Sequence, residues 1–288
     1  MKRWLIRGTL TALIAATLLA TAGYATLRWM GLLRAPAYDT APPELPALPR
    51  PALLVLYKTN GYIHREAIPA VNALFTELAQ RRGYSIYATD NGAVINERDL
   101  RRFDVVVWNN NTGDILAPAQ RRAFRDWLEG GGRWLGLHSA SDNHFSWPWF
   151  VDEVVGARFN GATRYPPAPR AKLVFEQPAH PALAGLPDSL WLGDELYSFS
   201  TPPRAKVNVL ARLDENTYLN DQGWLADQLR MGDHPIIWWR EVGRGLAVYS
   251  GIGHRSETYD IAEYRRLLDN ALHWLIGSAD AGRDAPGR

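Results

Sequence analysis

The chain has 288 residues, a formal net charge of +2 and no cysteine. The absence of cysteine excludes disulfides, thiolate catalysis and cysteine-based zinc sites. So small a net charge gives no reason to expect a polyanionic partner, and no stripe of Lys and Arg interleaved with aromatic residues is present. We therefore expect no binding to nucleic acid. The part beyond the N-terminal segment, about 240 residues, is long enough for one α/β domain.

The N-terminal segment, residues 1–34, contains a candidate membrane span. Positive charges precede an uncharged stretch over residues 8–27, which is as long as a membrane span requires. Two interpretations stay open, a cleavable signal peptide and a retained anchor that binds the membrane through residues 8–27. The bulky residues beyond the stretch favour the anchor. Both interpretations export the globular part, to the periplasm or the outer face of the inner membrane.

The globular part is predicted to lie between two irregular segments. Residues 35–51 are rich in proline and cannot sustain a helix, so they are expected to form an extended spacer off the membrane. Residues 278–288 are expected to form a disordered tail. Residues 52–277 then form a single domain.

The first half of this domain alternates between short apolar runs and amphipathic segments. Strands are predicted over 52–57, 84–89 and 104–109, with a fourth ending at His138, and helices around 68–78 and 123–128. This β-α-β alternation predicts right-handed crossovers and a mainly parallel sheet with helices on both faces, a three-layer α/β/α sandwich. No nucleotide-binding glycine motif follows the first strand, so a nucleotide cofactor is not supported.

The second half returns through further strands to a closing helix. Strands are predicted over 170–176, 207–213, 235–239 and 246–250, and an amphipathic helix over 261–275.

The turn after the fourth strand is the first candidate for function. Gly136-Leu137-His138-Ser139-Ala140 has the spacing of a nucleophile elbow, but a histidine occupies the elbow position. Imidazole is a poor acyl-transfer nucleophile and a good proton carrier or metal ligand. Ligands of open α/β sheets bind at the carboxyl ends of such strands.

Other polar residues follow the ends of neighbouring strands, and we expect their loops to converge on His138. Glu195 is predicted to be the general base, with a pKa raised by burial, and His138 or His254 the acid; His64 joins them as a candidate catalytic residue. The candidate substrate-binding residues are Asn109, Asn111, Asp194, Tyr197 and Trp147.

Two of these residues have alternative interpretations. Asp194 could simply brace a histidine. Trp147 lies in an aromatic stretch, residues 142–150, that could stack on a sugar ring or pack as a lid on its own core.

A divalent metal such as zinc is a further hypothesis. His64, His138 and His254 offer three imidazoles, and Glu195 offers a carboxylate, which matches the ligand set of a catalytic zinc site. The alternative is that the histidines bind substrate hydroxyls directly, since no local H-E-x-x-H motif is present.

Five segments in this order resemble the ThuA-like (trehalose-utilisation) family, and the resemblance covers residues 52–277. They are residues 61–66, 131–140, 194–197, 234–238 and 243–254. The resemblance implies the flavodoxin-like fold of class I glutamine amidotransferases and a link to disaccharide and keto-sugar metabolism. Those amidotransferases carry a catalytic cysteine at the elbow position, where this chain has His138, so glutaminase activity is not expected.

Two functions from different classes follow. The first is an exported enzyme that hydrolyses or isomerises a keto-glycoside by acid–base chemistry. The second is a non-catalytic carbohydrate-binding protein on an inherited enzyme scaffold. The sequence specifies neither the sugar nor the oligomeric state.

Overall fold

The computed structural model describes residues 2–164, 166–219 and 229–283. The helices are α1 (Lys2–Trp29), α2 (Ala67–Arg82), α3 (Glu97–Leu100), α4 (Pro118–Glu129) and α5 (Ala262–Arg283). The strands are β1 (Ala52–Leu56), β2 (Ser85–Thr89), β3 (Val105–Asn109), β4 (Arg133–Leu137), β5 (Phe159–Ala162), β6 (Arg170–Phe175), β7 (Ser189–Gly193), β8 (Tyr197–Phe199), β9 (Asn208–Asp214), β10 (Pro235–Val242) and β11 (Gly245–Ser250).

One nine-stranded sheet forms the centre of the domain, in the order β2-β1-β3-β4-β11-β10-β9-β6-β7. The first five strands are parallel, and the last four continue the sheet as antiparallel neighbours. Strands β5 and β8 form a separate two-stranded ribbon. The predicted α/β fold is confirmed, and the carboxyl ends of the five parallel strands lie at one edge of the sheet.

Helices cover both faces of the parallel half. Successive residues of a strand point to opposite faces, and β3 shows which helix lies on each. Trp108 packs against Phe124 of α4 with ring centroids 5.0 Å apart, whereas Asn109 donates a hydrogen bond to the carbonyl of Ile68 in α2. Helix α5 lies beside α2, since Arg82 Nε donates to Asp269 Oδ1 at 3.0 Å. Strands β1, β3 and β4 are buried throughout because both faces are covered, which explains their continuous apolar runs.

The segment after α1 lies on the domain instead of forming a free spacer. We call residues 30–51 the N-terminal strap. It is not helical, as predicted, but Asp39 forms an ion pair with Lys58 at 2.6 Å and accepts a hydrogen bond from the amide of Gly92 at 2.7 Å. Leu45 and Leu48 pack against the core. The segment predicted as an extended spacer therefore lies against the domain, because its side chains find partners far along the chain.

The closing helix is longer than predicted. Helix α5 continues to Arg283, so the first six residues of the expected disordered tail are helical. Arg133 fixes this part of the helix by donating hydrogen bonds to the hydroxyl and the carbonyl of Ser278. Residues 284–288 lie outside the described residues.

Candidate functional site

Four side chains from four loops meet at the carboxyl edge of the parallel strands. One potential ligand atom from each of His64, His138, Glu195 and His254 lies within 4.8 Å of all the others. The three imidazole centroids are 4.9, 5.0 and 5.4 Å apart, and each ring is nearly perpendicular to the other two. We call these four residues the histidine group.

His138 is held in a fixed orientation by its backbone and by one hydrogen bond. It follows β4 directly, and its φ of +49° lies in the left-handed region, which costs free energy for any residue except glycine. Its Nδ1 lies 3.1 Å from the carbonyl oxygen of Gly251. Because a carbonyl can only accept, Nδ1 carries a proton, and Nε2 is the ring nitrogen that faces the rest of the group.

Glu195 places one carboxylate oxygen against two imidazoles. Its Oε2 lies 3.2 Å from His138 Nε2 and 3.1 Å from His254 Nδ1. Neither ring nitrogen has a hydrogen bond of acceptable geometry, although both are buried. A carboxylate oxygen this close to a ring nitrogen is repulsive unless a proton or a metal ion lies between them. The arrangement therefore fits either a proton or a metal ion between Glu195 and the two rings.

The electrostatics of the group differ from the expectation for a general base. Burial alone would raise the pKa of Glu195, but the two imidazoles beside it lower that pKa well below its ordinary value. The predicted raised pKa is therefore wrong. Burial, together with the neighbouring His138 and His254, lowers the pKa of His64 well below 6.5, so His64 is neutral. Burial opposes the charge on His254, but Glu195 prevails and raises its pKa.

Asp142 is a candidate proton acceptor to which the sequence analysis gave no role. Burial and the negative charge of Glu195 raise the pKa of Asp142 to about 7. Its charge also acts on Tyr197, whose ring centroid is 4.1 Å from that of His138. Its position only four residues after His138, in the same turn, was a signal that the sequence already contained.

Asp194 supports the loop that carries His254. The carboxylate is fully buried. Its Oδ1 accepts from the amides of Glu195 and His254, at 2.7 and 3.0 Å. Its Oδ2 accepts from the amide of Gly253 at 2.9 Å and from the hydroxyl of Thr258 at 2.7 Å. Four hydrogen bonds to one carboxylate fix the relative positions of Glu195 and His254, so Asp194 braces the histidine through its backbone.

Comparison with known proteins identifies the family. The family model described as "ThuA: Trehalose utilisation" matches residues 52–275, which is most of the chain. The chain belongs to the ThuA family. Among curated proteins, no sequence matches it significantly.

Solved structures of ThuA-like proteins share its fold. A ThuA-like protein from Bacteroides uniformis ATCC 8492 is 24% identical, with a TM-score of 0.66 over 82% of this chain and 95% of its own. A ThuA-like protein from Parabacteroides merdae ATCC 43184 is 15% identical, with a TM-score of 0.59 over 78% and 89%. At these identities the similarity establishes the fold alone.

The side-chain amides of two asparagines at the end of β3 donate hydrogen bonds within the ThuA domain. Asn109 donates to the carbonyl of Ile68 at 3.0 Å, and Asn111 donates to the carbonyls of Leu56 and Lys58, at 3.2 and 2.9 Å. Both side chains are fully buried. Their amide N–H donors hold the ends of β1 and β3 and the start of α2 together, so these donors are not available to bind substrate hydroxyls.

Trp147 packs on its own core. Its ring lies 5.1 Å from that of Trp149 and 5.7 Å from that of Phe150, and the guanidinium of Arg121 lies 5.8 Å from its centroid. These contacts match the interpretation of residues 142–150 as a lid, rather than as an open platform for sugar stacking.

A small cavity leads to the histidine group from outside. Its volume is about 200 Å³, and His64 and His254 line it together with Tyr62, Trp29 and Met30. The last two residues belong to the end of α1 and the start of the strap, so the N-terminal segment of this ThuA-family protein forms one wall of the entrance.

Proposed function

We propose that this ThuA-family protein is an exported enzyme that acts on a carbohydrate by metal-assisted acid–base chemistry, hydrolysing or isomerising a keto-glycoside. The observation that carries the proposal is the position of Glu195 Oε2, which faces the imidazole nitrogens of His138 and His254 at 3.2 and 3.1 Å. The carbohydrate class comes from the family, whose model is described by trehalose utilisation.

The donor set fits a catalytic zinc ion. His64, His138 and His254 supply three nitrogens, and Glu195 supplies an ionised oxygen or leaves a position open for water. Tetrahedral zinc places its ligand atoms roughly 3.3 Å apart; the widest separation here is 4.8 Å, so small side-chain movements would close the site. When bound, such an ion would polarise a sugar carbonyl or lower the pKa of a bound water.

The residues around the donors have the properties of a supporting shell. The Nδ1 of His138 is held by the carbonyl of Gly251, and the Nδ1 of His64 lies 3.2 Å from the hydroxyl of Ser139. The first contact leaves Nε2 of His138 facing Glu195, and the second restrains the ring of His64. The neutral state of His64, which its lowered pKa ensures, is the state that binds a metal ion.

We propose Asp142, at the end of the turn that begins with His138, as the proton acceptor in place of Glu195. A general base works best when its pKa lies near the working pH, and the pKa of Asp142 is raised to about 7. A keto group acidifies the neighbouring C–H bond of a sugar, so one positioned carboxylate is sufficient to remove that proton. Glu195, whose pKa is lowered, stays ionised and supplies negative charge to the cation site.

The non-catalytic alternative requires an accessible aromatic surface. The observed aromatic residues around Trp147 instead pack on one another and on α4. A convergent group of three imidazoles and a carboxylate serves no evident purpose in a sugar-binding groove, which favours the enzyme.

Export rests on α1, which is long and apolar enough to act as a signal peptide or a membrane anchor. A reporter fused after Arg50 is expected to be active only outside the cytoplasm. Activity of that reporter inside the cytoplasm would remove export from the proposal.

Activity is tested with purified full-length protein, trehalose and its keto derivatives, with and without added zinc. We expect zinc-dependent conversion of a keto-sugar, followed by NMR, that Asp142→Asn abolishes and the distant His273→Gln preserves. Glutamine should release no ammonia, because His138 replaces the cysteine of the amidotransferases. Equal conversion by the wild type and by Asp142→Asn would contradict the assigned base, and sugar binding without any conversion would favour the non-catalytic alternative.

A further inference from the structure

The end of α1 is bound to the loop that carries His64. The amide of Ile63 donates to the carbonyl of Met30 at 3.0 Å. The guanidinium of Arg65 lies 4.6 Å from the ring centroid of Trp29 and donates to its carbonyl. Arg34 donates to the carbonyl of Gly61 at 3.1 Å. Residues on both sides of His64 therefore hold the last turn of α1 against the site.

The two backbones approach so closely that only glycine fits between them. Gly31 has a φ of +87°, and a Cβ atom at this position would lie 2.3 Å from the carbonyl oxygen of Gly61. Position 31 therefore requires glycine for two reasons: glycine adopts the left-handed conformation without strain, and it has no side chain to clash with the carbonyl. The connection between α1 and the domain is thus short and fixed, and the strap beyond it is bound to the domain through Asp39.

The outer part of α1 has the dimensions of a membrane span. Within residues 7–29, the most apolar stretch of 18 residues has a mean hydropathy of 1.7, and none of it is buried in the protein. At 1.5 Å per residue this segment is about 35 Å long, enough for the hydrocarbon core of roughly 30 Å. Trp29 ends the segment, and tryptophan is enriched at membrane–water interfaces. Arginine side chains near the end of a membrane span reach the lipid head groups.

The entrance to the histidine group lies at the same level as this interface. Trp29 and Met30 line the entrance cavity together with His64 and His254. Around it, Trp29, Leu32 and Leu33 are exposed by 63, 51 and 47%. Exposed aromatic and aliphatic side chains next to Arg34 and Arg65 match the mixture of residues that contacts lipid head groups and the outer acyl chains.

We propose that the entrance of the site faces a lipid bilayer, with Trp29, Leu32, Leu33, Arg34 and Arg65 in contact with the membrane surface. The partner is the bilayer that α1 crosses, and the fixed connection at Gly31 sets the orientation of the domain on it. The proposal requires that α1 is retained, and it is independent of the sugar chemistry. Together with the proposed function, it places the substrate at the level of the lipid head groups.

The test uses single-cysteine variants of the full-length chain, which has no cysteine of its own. Glu66→Cys places a fluorophore beside the entrance. Glu241→Cys, the matched control, places it at the opposite edge of the sheet, near the β10–β11 turn. Both residues are exposed, and neither side chain belongs to the histidine group. Each labelled protein is reconstituted in vesicles of phosphatidylcholine and phosphatidylglycerol that contain a lipid with a head-group quencher.

We expect strong quenching at position 66 and almost none at position 241. Equal quenching at the two positions would show that the domain tumbles freely and would overturn the proposal. A mass spectrum of the mature protein that lacks residues 1–25 would also overturn it. Thermal unfolding of both labelled proteins checks that they fold, and because no readout depends on catalysis, failure here leaves the proposed function untouched.

Discussion

Replacing Gly253 by alanine tests whether the turn that carries His254 has the described geometry. Gly253 has a φ of +131°, which residues other than glycine rarely adopt. A Cβ atom at this position would lie 2.1 Å from the hydroxyl of Tyr259. That hydroxyl is buried and donates to the carbonyl of Gly253 itself at 2.8 Å, so the tyrosine cannot move aside without losing this bond.

Two costs add up in the Gly253→Ala variant. The backbone conformation costs about 1–3 kcal/mol for a residue with a Cβ atom. Forcing a methyl group into a filled space costs about 1–3 kcal/mol more. The free energy of unfolding should therefore fall by about 2–6 kcal/mol. The displaced turn also moves His254, so the affinity for a metal ion should fall.

The assay is urea unfolding of the purified full-length protein, with Gly277→Ala as the matched control. A Cβ atom at Gly277, on the exposed side of α5, meets no atom within 4 Å. Alanine should stabilise the helix there by up to about 1 kcal/mol. If Gly253→Ala unfolds at the same urea concentration as the wild type, the turn does not have the conformation on which the site geometry depends.

Two further predictions concern buried ionisable groups. Burial lowers the pKa of His144 to about 4 from 6.5, so between pH 6.5 and 4 only the unfolded chain takes up this proton. The free energy of unfolding should therefore decrease as the pH is lowered through this window, by up to about 1.4 kcal/mol per pH unit for this group. His144→Asn should show a shallower pH dependence of the unfolding free energy, and an unchanged slope would contradict the assignment. Asp194→Asn removes the anionic acceptor that fixes Glu195 and His254, and it should weaken zinc binding about 10–100-fold while circular dichroism stays unchanged; wild-type affinity would show that Asp194 does not position the ligands.

The fold was predictable because its causes are local. Apolar runs such as residues 104–109 and the elbow pattern around His138 specify strands and turns through neighbouring residues alone. The rule that polar residues after parallel strands meet at one edge is equally general, and it selected the four residues that the structure brings together.

The position of the strap and the properties of individual site residues depended on contacts between distant parts of the chain. The strap lies on the domain because Asp39 meets Lys58 and Gly92, which no local pattern indicates. The low pKa of Glu195 arises from two histidines at distant positions, whose distances only the folded chain defines. The same holds for Asn109, whose amide is taken up by α2.

Calorimetric titration of zinc into the full-length protein tests the central claim most directly. We expect one zinc ion per chain, with binding lost in His138→Ala and retained in His273→Gln; His273 is a histidine of α5 whose partner is the hydroxyl of Tyr84. The absence of stoichiometric binding to the wild type, or binding that survives in His138→Ala, would contradict a metal centre built from the histidine group.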